Sequence, residues 1–122
     1  MKMPRVVLGA TIVAMALLSV CGLLSPREAA RAADSALIAR GLYMTGPAGR
    51  CSDCHGQGLR GGHVFPAPDL RGLKMFASST DAIKFFETAL TPAGTPVPPP
   101  MPHFMFHADD ARAIVAYLKQ LH

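Results

Sequence analysis

The sequence predicts an all-α domain behind a hydrophobic leader. Three observations carry this: no stretch alternates apolar with polar residues, three segments after residue 33 repeat apolar residues at helical spacing, and Thr91–Pro102, six of whose twelve residues are proline, keeps the second and third apart. Half of the 122 residues are apolar and 16% are charged, which excludes a disordered chain and allows one domain at most.

The leader comes first. Lys2 and Arg5 precede the uncharged run Val6 to Leu24, and Ala30-Arg31-Ala32-Ala33 offers small residues with the spacing of a secretory cleavage site. The run exceeds the roughly 7–15 residues of a usual signal core and reaches the roughly 18 at which a spanning helix becomes plausible. Residues 1–33 are therefore expected to be a signal peptide or an N-terminal membrane anchor, with the basic start kept in the cytoplasm and the domain, residues 34–122, outside it. In a bacterium that places it in the periplasm, released after cleavage or attached to the inner membrane through residues 6–24. Cys21, inside the run, reads as a small apolar residue of this segment, although Leu18-Ser19-Val20 before it faintly resembles a lipoprotein box. Four of the twelve basic residues lie in the leader; from Asp34 onward eight Lys/Arg face seven Asp/Glu, a formal +1 against +4 for the chain. Nothing there suggests a nucleic-acid partner.

Of the helices, the first is expected over Asp34–Thr45, with Asp34-Ser35 as cap, Leu37, Ile38, Gly41 and Leu42 on one face, and Gly46-Pro47-Ala48-Gly49 as terminator. Five Gly and two Pro between residues 56 and 73 mark a loop region. The second helix follows Ser78-Ser79-Thr80, capped by Ser79 or Thr80, with Ile83, Phe86 and Leu90 facing inward. The last begins at Asp109-Asp110 and turns Ala111, Ile114, Val115, Leu118 and Leu121 to one side, with Lys119 and His122 at the negative end of its dipole. A domain of this size with long Gly/Pro loops has little apolar surface to bury and needs a disulfide, a metal or a cofactor.

Cys51-Ser-Asp-Cys54-His55 is C-x-x-C-H, the attachment signature of haem c: two thiols on one turn add to the two vinyl groups, and the adjacent imidazole becomes an axial ligand. A thioredoxin-like pair would need a βαβ neighbourhood, which is missing, and a zinc site would want two further ligands. Among His63, His103, His107 and His122 only His103/His107 has metal spacing, at the edge of the proline loop. A disulfide across the two intervening residues is the remaining alternative; export, helicity and the small core favour one covalent haem. Leu59, Leu70, Leu73, Phe76, Phe86, Phe104 and Leu118 are the candidates to pack against it. For the sixth coordination position, Met101 stands between Pro98-Pro99-Pro100 and Pro102, on a loop stiff enough to hold a weak thioether ligand. Met44, Met75, Met105, His103 and His107 are the other candidates.

Over about residues 36 to 121 the chain resembles the small class I bacterial cytochromes c, through Gly41-Leu-Tyr43, the Cys51–His55 motif, Pro68-Asp-Leu-Arg-Gly72, Met101-Pro-His-Phe104 and Ala116-Tyr117-Leu118 in order. The resemblance implies a bundle of short helices around haem, with His55 and Met101 as axial ligands. It also implies that the Pro68 carbonyl accepts a hydrogen bond from the far nitrogen of His55, and that Gly41 lets the first helix cross the last near Tyr117. Arg50, Arg60, Arg71 or Lys74 would neutralise a haem propionate. The implied function is one-electron transfer between redox proteins, with a dehydrogenase as donor and a cytochrome or terminal oxidase as acceptor, by a carrier rather than an enzyme. Pro99-Pro-Met-Pro102 followed by Asp109–Leu118 is also similar to the C-terminal haem modules of cytochrome subunits that serve periplasmic dehydrogenases. The alternative is a haem enzyme or gas sensor with an open or labile sixth site, for which only His103 or His107 is near enough in sequence to act as a distal acid or base.

Overall fold

A computed structural model of the chain describes residues 25–62 and 65–121. The hydrophobic run, Cys21, His63 and His122 lie outside the described residues. Two units are distinguished, residues 1–33 and 34–122. Among the described residues there are four α-helices and no strand: α1 (Pro26–Tyr43), α2 (Cys51–His55), α3 (Ser79–Thr88) and α4 (Ala108–Leu118). A π-helical turn, Met44–Ala48, extends α1, and 3₁₀ turns occupy Gln57–Leu59 and Lys74–Phe76. None of the helices among the described residues is long and apolar enough to cross a membrane.

The first helix starts well before the expected Asp34. Ser25 Oγ accepts from the Glu28 amide at 3.3 Å, and the Ser25 amide donates to the Glu28 carboxylate at 2.8 Å. This is a reciprocal capping box, with Pro26 at the first helical position, where its missing N–H costs nothing. Asp34 and Ser35 are thus interior residues of an alanine-rich helix whose first three turns are exposed. At its other end Gly41 is buried against α4. A Cβ on Gly41 would lie 2.1 Å from the Ala113 carbonyl oxygen and 2.6 Å from Tyr117 Cβ, so the two backbones meet where only hydrogen fits. The side chains of Arg40 and Asp110 pair at 2.8 Å beside this crossing.

The cap of α3 is Ser78, one residue earlier than expected, accepting from the Asp81 amide at 3.3 Å. Its buried face is Ala82, Phe85, Phe86 and Ala89 rather than Ile83, Phe86 and Leu90. Positions i, i+3, i+4 and i+7 form that stripe, and it leaves Ile83 half-buried and Leu90 exposed. Helix α4 starts where expected and buries Ala111, Ala113, Ile114, Val115 and Leu118, with Leu121 half-buried beyond its end. Lys119, at that end, donates to Ser79 Oγ at the start of α3.

The core lies between α3, α4 and the loops. Its centre is aromatic: Phe86 stacks on Phe76 at 5.7 Å between centroids and meets Phe85 edge-on at 5.1 Å. Phe104 and Phe106, from the segment after the proline loop, close the cluster at 5.7 and 6.4 Å from Phe86. Of the residues expected to pack against a cofactor, Leu59, Leu70, Phe76, Phe86 and Leu118 are buried, and Leu73 and Phe104 are half-buried.

Candidate functional site

The site begins where α1 ends. After the π-helical turn, Gly49 and Arg50 close back with amide bonds of 2.8 Å to the Met44 and Gly46 carbonyls, and Arg50 takes a left-handed φ of 53°. The chain reverses there and enters the single turn α2, where Cys51 and Cys54 fall at i and i+3 on one face. Both are free thiols. Burial pushes the Cys51 thiol up from its ordinary pKa. Asp53, pointing outward, pairs with Arg50 at 2.7 Å.

His55 closes the turn and is buried. Its Nδ1 lies 2.8 Å from the Pro68 carbonyl oxygen. A carbonyl only accepts, so Nδ1 carries a proton, and in the neutral imidazole it is Nε2 that presents the lone pair. That tautomer is the one an imidazole needs to ligate a metal through Nε2, with a fixed ring plane and added basicity. The loop from Gly56 to Gly62 is folded tightly over α2. A Cβ on Gly62 would sit 2.0 Å from the Cys54 carbonyl oxygen, so a larger residue would push the loop off the motif. The Pro68 segment is held to this loop by the Gly62 amide on the Ala67 carbonyl, 3.1 Å, and the Leu70 amide on the Leu59 carbonyl, 2.9 Å.

Met101 lies half-buried against the same apolar cluster that Cys51 touches, and its amide closes a turn on the Pro98 carbonyl at 3.2 Å. The other candidates divide by burial. Met44 is a core residue, Met75 is half-buried, Met105 is 84% exposed, and His103 and His107 are exposed. Of the four cations considered for a propionate, Arg50 is taken by Asp53 and Arg71 by Asp69; Arg60 and Lys74 have no ion pair among the described residues. The Asp69–Arg71 pair is what sequence reasoning missed, since Arg71 was considered only for a propionate and Asp69 was given no role; an Asp-x-Arg step directly after a proline was the available signal. Two small cavities, about 130 Å³ beside α3 and about 230 Å³ between α1 and α4, are lined by none of Cys51, Cys54, His55 or Met101.

The donor set fits haem c in kind. Two free thiols share one face of a turn, and the next side chain is an imidazole whose outer nitrogen is already committed as a donor. A family model described as Cytochrome c matches residues 39–122. No curated protein and no solved structure matches the chain.

Proposed function

The chain belongs to the cytochrome c family, and from that premise we propose that it moves single electrons outside the cytoplasm through one haem c attached at Cys51 and Cys54, with His55 and Met101 as axial ligands. Haem-based electron transfer is the property of the family; the ligand pair, the class I type, the compartment and the partners are our reading. When bound, haem c supplies an iron that cycles between ferric and ferrous states. The observation that carries the reading is the His55 Nδ1 bond to Pro68, which orients the ring and leaves Nε2 as its uncommitted nitrogen beside the two motif cysteines.

The residues then divide the work. His55 is buried and tethered, so its ring keeps one orientation in both oxidation states and little has to rearrange when charge moves. Met101 is held by a turn in a segment stiffened by proline, which suits a thioether that binds iron weakly. A thioether opposite an imidazole raises the potential and favours the ferrous form. Redox proteins would dock through small, transient interfaces, a dehydrogenase giving electrons and a cytochrome or terminal oxidase receiving them. The role is that of a free carrier or of the electron-accepting subunit of a periplasmic dehydrogenase, with residues 6–24 either removed as part of a signal or kept as an inner-membrane anchor.

The test is the optical spectrum of protein matured with a c-type haem apparatus, beside Met101→Ala. We expect a far-red sulfur-to-iron band in the oxidised protein, its loss in the variant, and no binding of carbon monoxide by the reduced wild type. A missing band with ready carbon monoxide binding would remove Met101 as a ligand and turn the reading toward an enzyme or sensor. Release by osmotic shock of a protein beginning near Ala33 would exclude the anchor.

A further inference from the structure

The Pro68 carbonyl must point at His55, and the residues after it show how it is held there. Asp69 Oδ1 accepts from the Arg71 amide at 2.9 Å and from Arg71 Nε at 2.9 Å, while Oδ2 faces the rest of the guanidinium. One carboxylate thus closes the turn through the backbone and grips the fork of the side chain two residues on. The Pro68 carbonyl and the Asp69 amide share one rigid peptide plane that ends at Asp69 Cα. Any rotation that swung the carbonyl off His55 would have to tilt that plane and carry Asp69 with it. We propose that the Asp69–Arg71 clasp is a positioning device that keeps the Pro68 carbonyl on His55 Nδ1 and so sets the donor strength of the proximal imidazole.

The inference rests on the reading of His55 as a haem ligand. A firm N–H···O=C bond gives the imidazole anionic character and favours ferric iron, so loosening it raises the reduction potential. The two clasp residues allow a test that separates positioning from charge. Asp69→Ala removes a negative charge and Arg71→Ala a positive one. Simple electrostatics moves the potential up in the first and down in the second, whereas loss of the clasp moves both up.

The measurement is the reduction potential of the haem-loaded wild type, Asp69→Ala, Arg71→Ala and Asp69→Asn, with the exchange rate of the His55 Nδ1 proton followed by NMR in each. We expect both alanine variants to shift the ferric/ferrous equilibrium severalfold toward ferrous and to speed that proton's exchange at least tenfold. Asp69→Asn, which keeps the acceptor for the Arg71 amide, should recover part of both effects. Shifts of opposite sign, or an unchanged exchange rate, overturn the proposal. If an alanine variant fails to hold haem, Asp69→Asn decides alone, since a wild-type exchange rate and potential there leave the guanidinium grip no role. A chain that takes up no haem defeats the functional reading instead, and with it the premise on which the clasp's effect on the potential rests.

Discussion

At the scale of single residues, the groups that matter are set by what they touch. His55 is defined by one carbonyl, Cys51 by its burial, and Asp69 by one guanidinium. Arg71 beside it lowers the Asp69 carboxyl from the ordinary 3.8 to about 2. A depressed carboxyl contributes stability above its unfolded pKa and loses it as pH falls through the folded one, so the Asp69 contribution is whole above about pH 4 and gone below about pH 2. The side chain is exposed and screened, which keeps the effect small. Urea midpoints at pH 5, 3 and 2 should converge for wild type and Asp69→Asn as the pH falls, with the gap between them widest at pH 5. The motif cysteines and His55 were legible from spacing alone, because three residue types at fixed offsets have few other uses. Asp69 and Arg71 were not, because two opposite charges two residues apart look like any solvated pair until the turn brings them together.

Helices show the reverse balance. The inward face of α4 could be read directly, since Ala111, Ile114, Val115 and Leu118 fall on one stripe with nothing to compete. In α3 two apolar stripes were available, Ile83/Phe86/Leu90 and Ala82/Phe85/Phe86/Ala89, and helical spacing does not choose between them. Packing does: the second places both phenylalanines against Phe76 and Phe104. Phe86→Ala would empty the middle of that cluster, and we expect a loss of about 3–5 kcal/mol in urea unfolding of the haem-loaded protein. The crossing of α1 over α4 carries the sharper test. Gly41→Ala gains helix propensity, but its methyl meets a backbone carbonyl that cannot turn away. The expected net effect is a destabilisation of about 1–3 kcal/mol, measured the same way. A stabilised Gly41→Ala protein would show that the helices do not approach this closely. The start of α1 was misplaced for a local reason: Asp34-Ser35 resembles a cap, but Ser25-Pro26-Arg27-Glu28 makes a better one nine residues earlier.

For the whole molecule, the question is what the cofactor contributes to stability. Among the described residues the buried apolar set holds seven phenylalanine, leucine or isoleucine side chains, of which only Phe85, Phe86, Ile114 and Leu118 come from α3 and α4; Leu59, Leu70 and Phe76, with Met44 and Val97, are drawn from the connecting segments. Four of its members are alanines, Ala82, Ala89, Ala111 and Ala113, which bury little area each. Cys51, Leu73, Met75, Met101 and Phe104 stay only partly covered by protein around that set. A domain of this size with so much of its apolar surface half-covered is marginal without help. The chain with Cys51→Ala and Cys54→Ala, purified without haem, should therefore show far less helix by far-ultraviolet circular dichroism than the matured protein. Equal helix content in the two would mean that the phenylalanine cluster alone carries the fold.

The class of fold and the haem-attachment motif could be read from neighbouring residues alone. A C-x-x-C-H motif, helical periodicity and a proline-rich loop are local patterns, written in neighbouring residues and readable without knowing what lies across the molecule. Contacts between distant segments settle which stripe of α3 faces inward, how closely Gly41 lets α1 approach Ala113, and how Asp69 and Arg71 stand behind the Pro68 carbonyl. Those are contacts or choices between equally good local patterns, and a chain resolves them only when it buries one face and leaves the other to water.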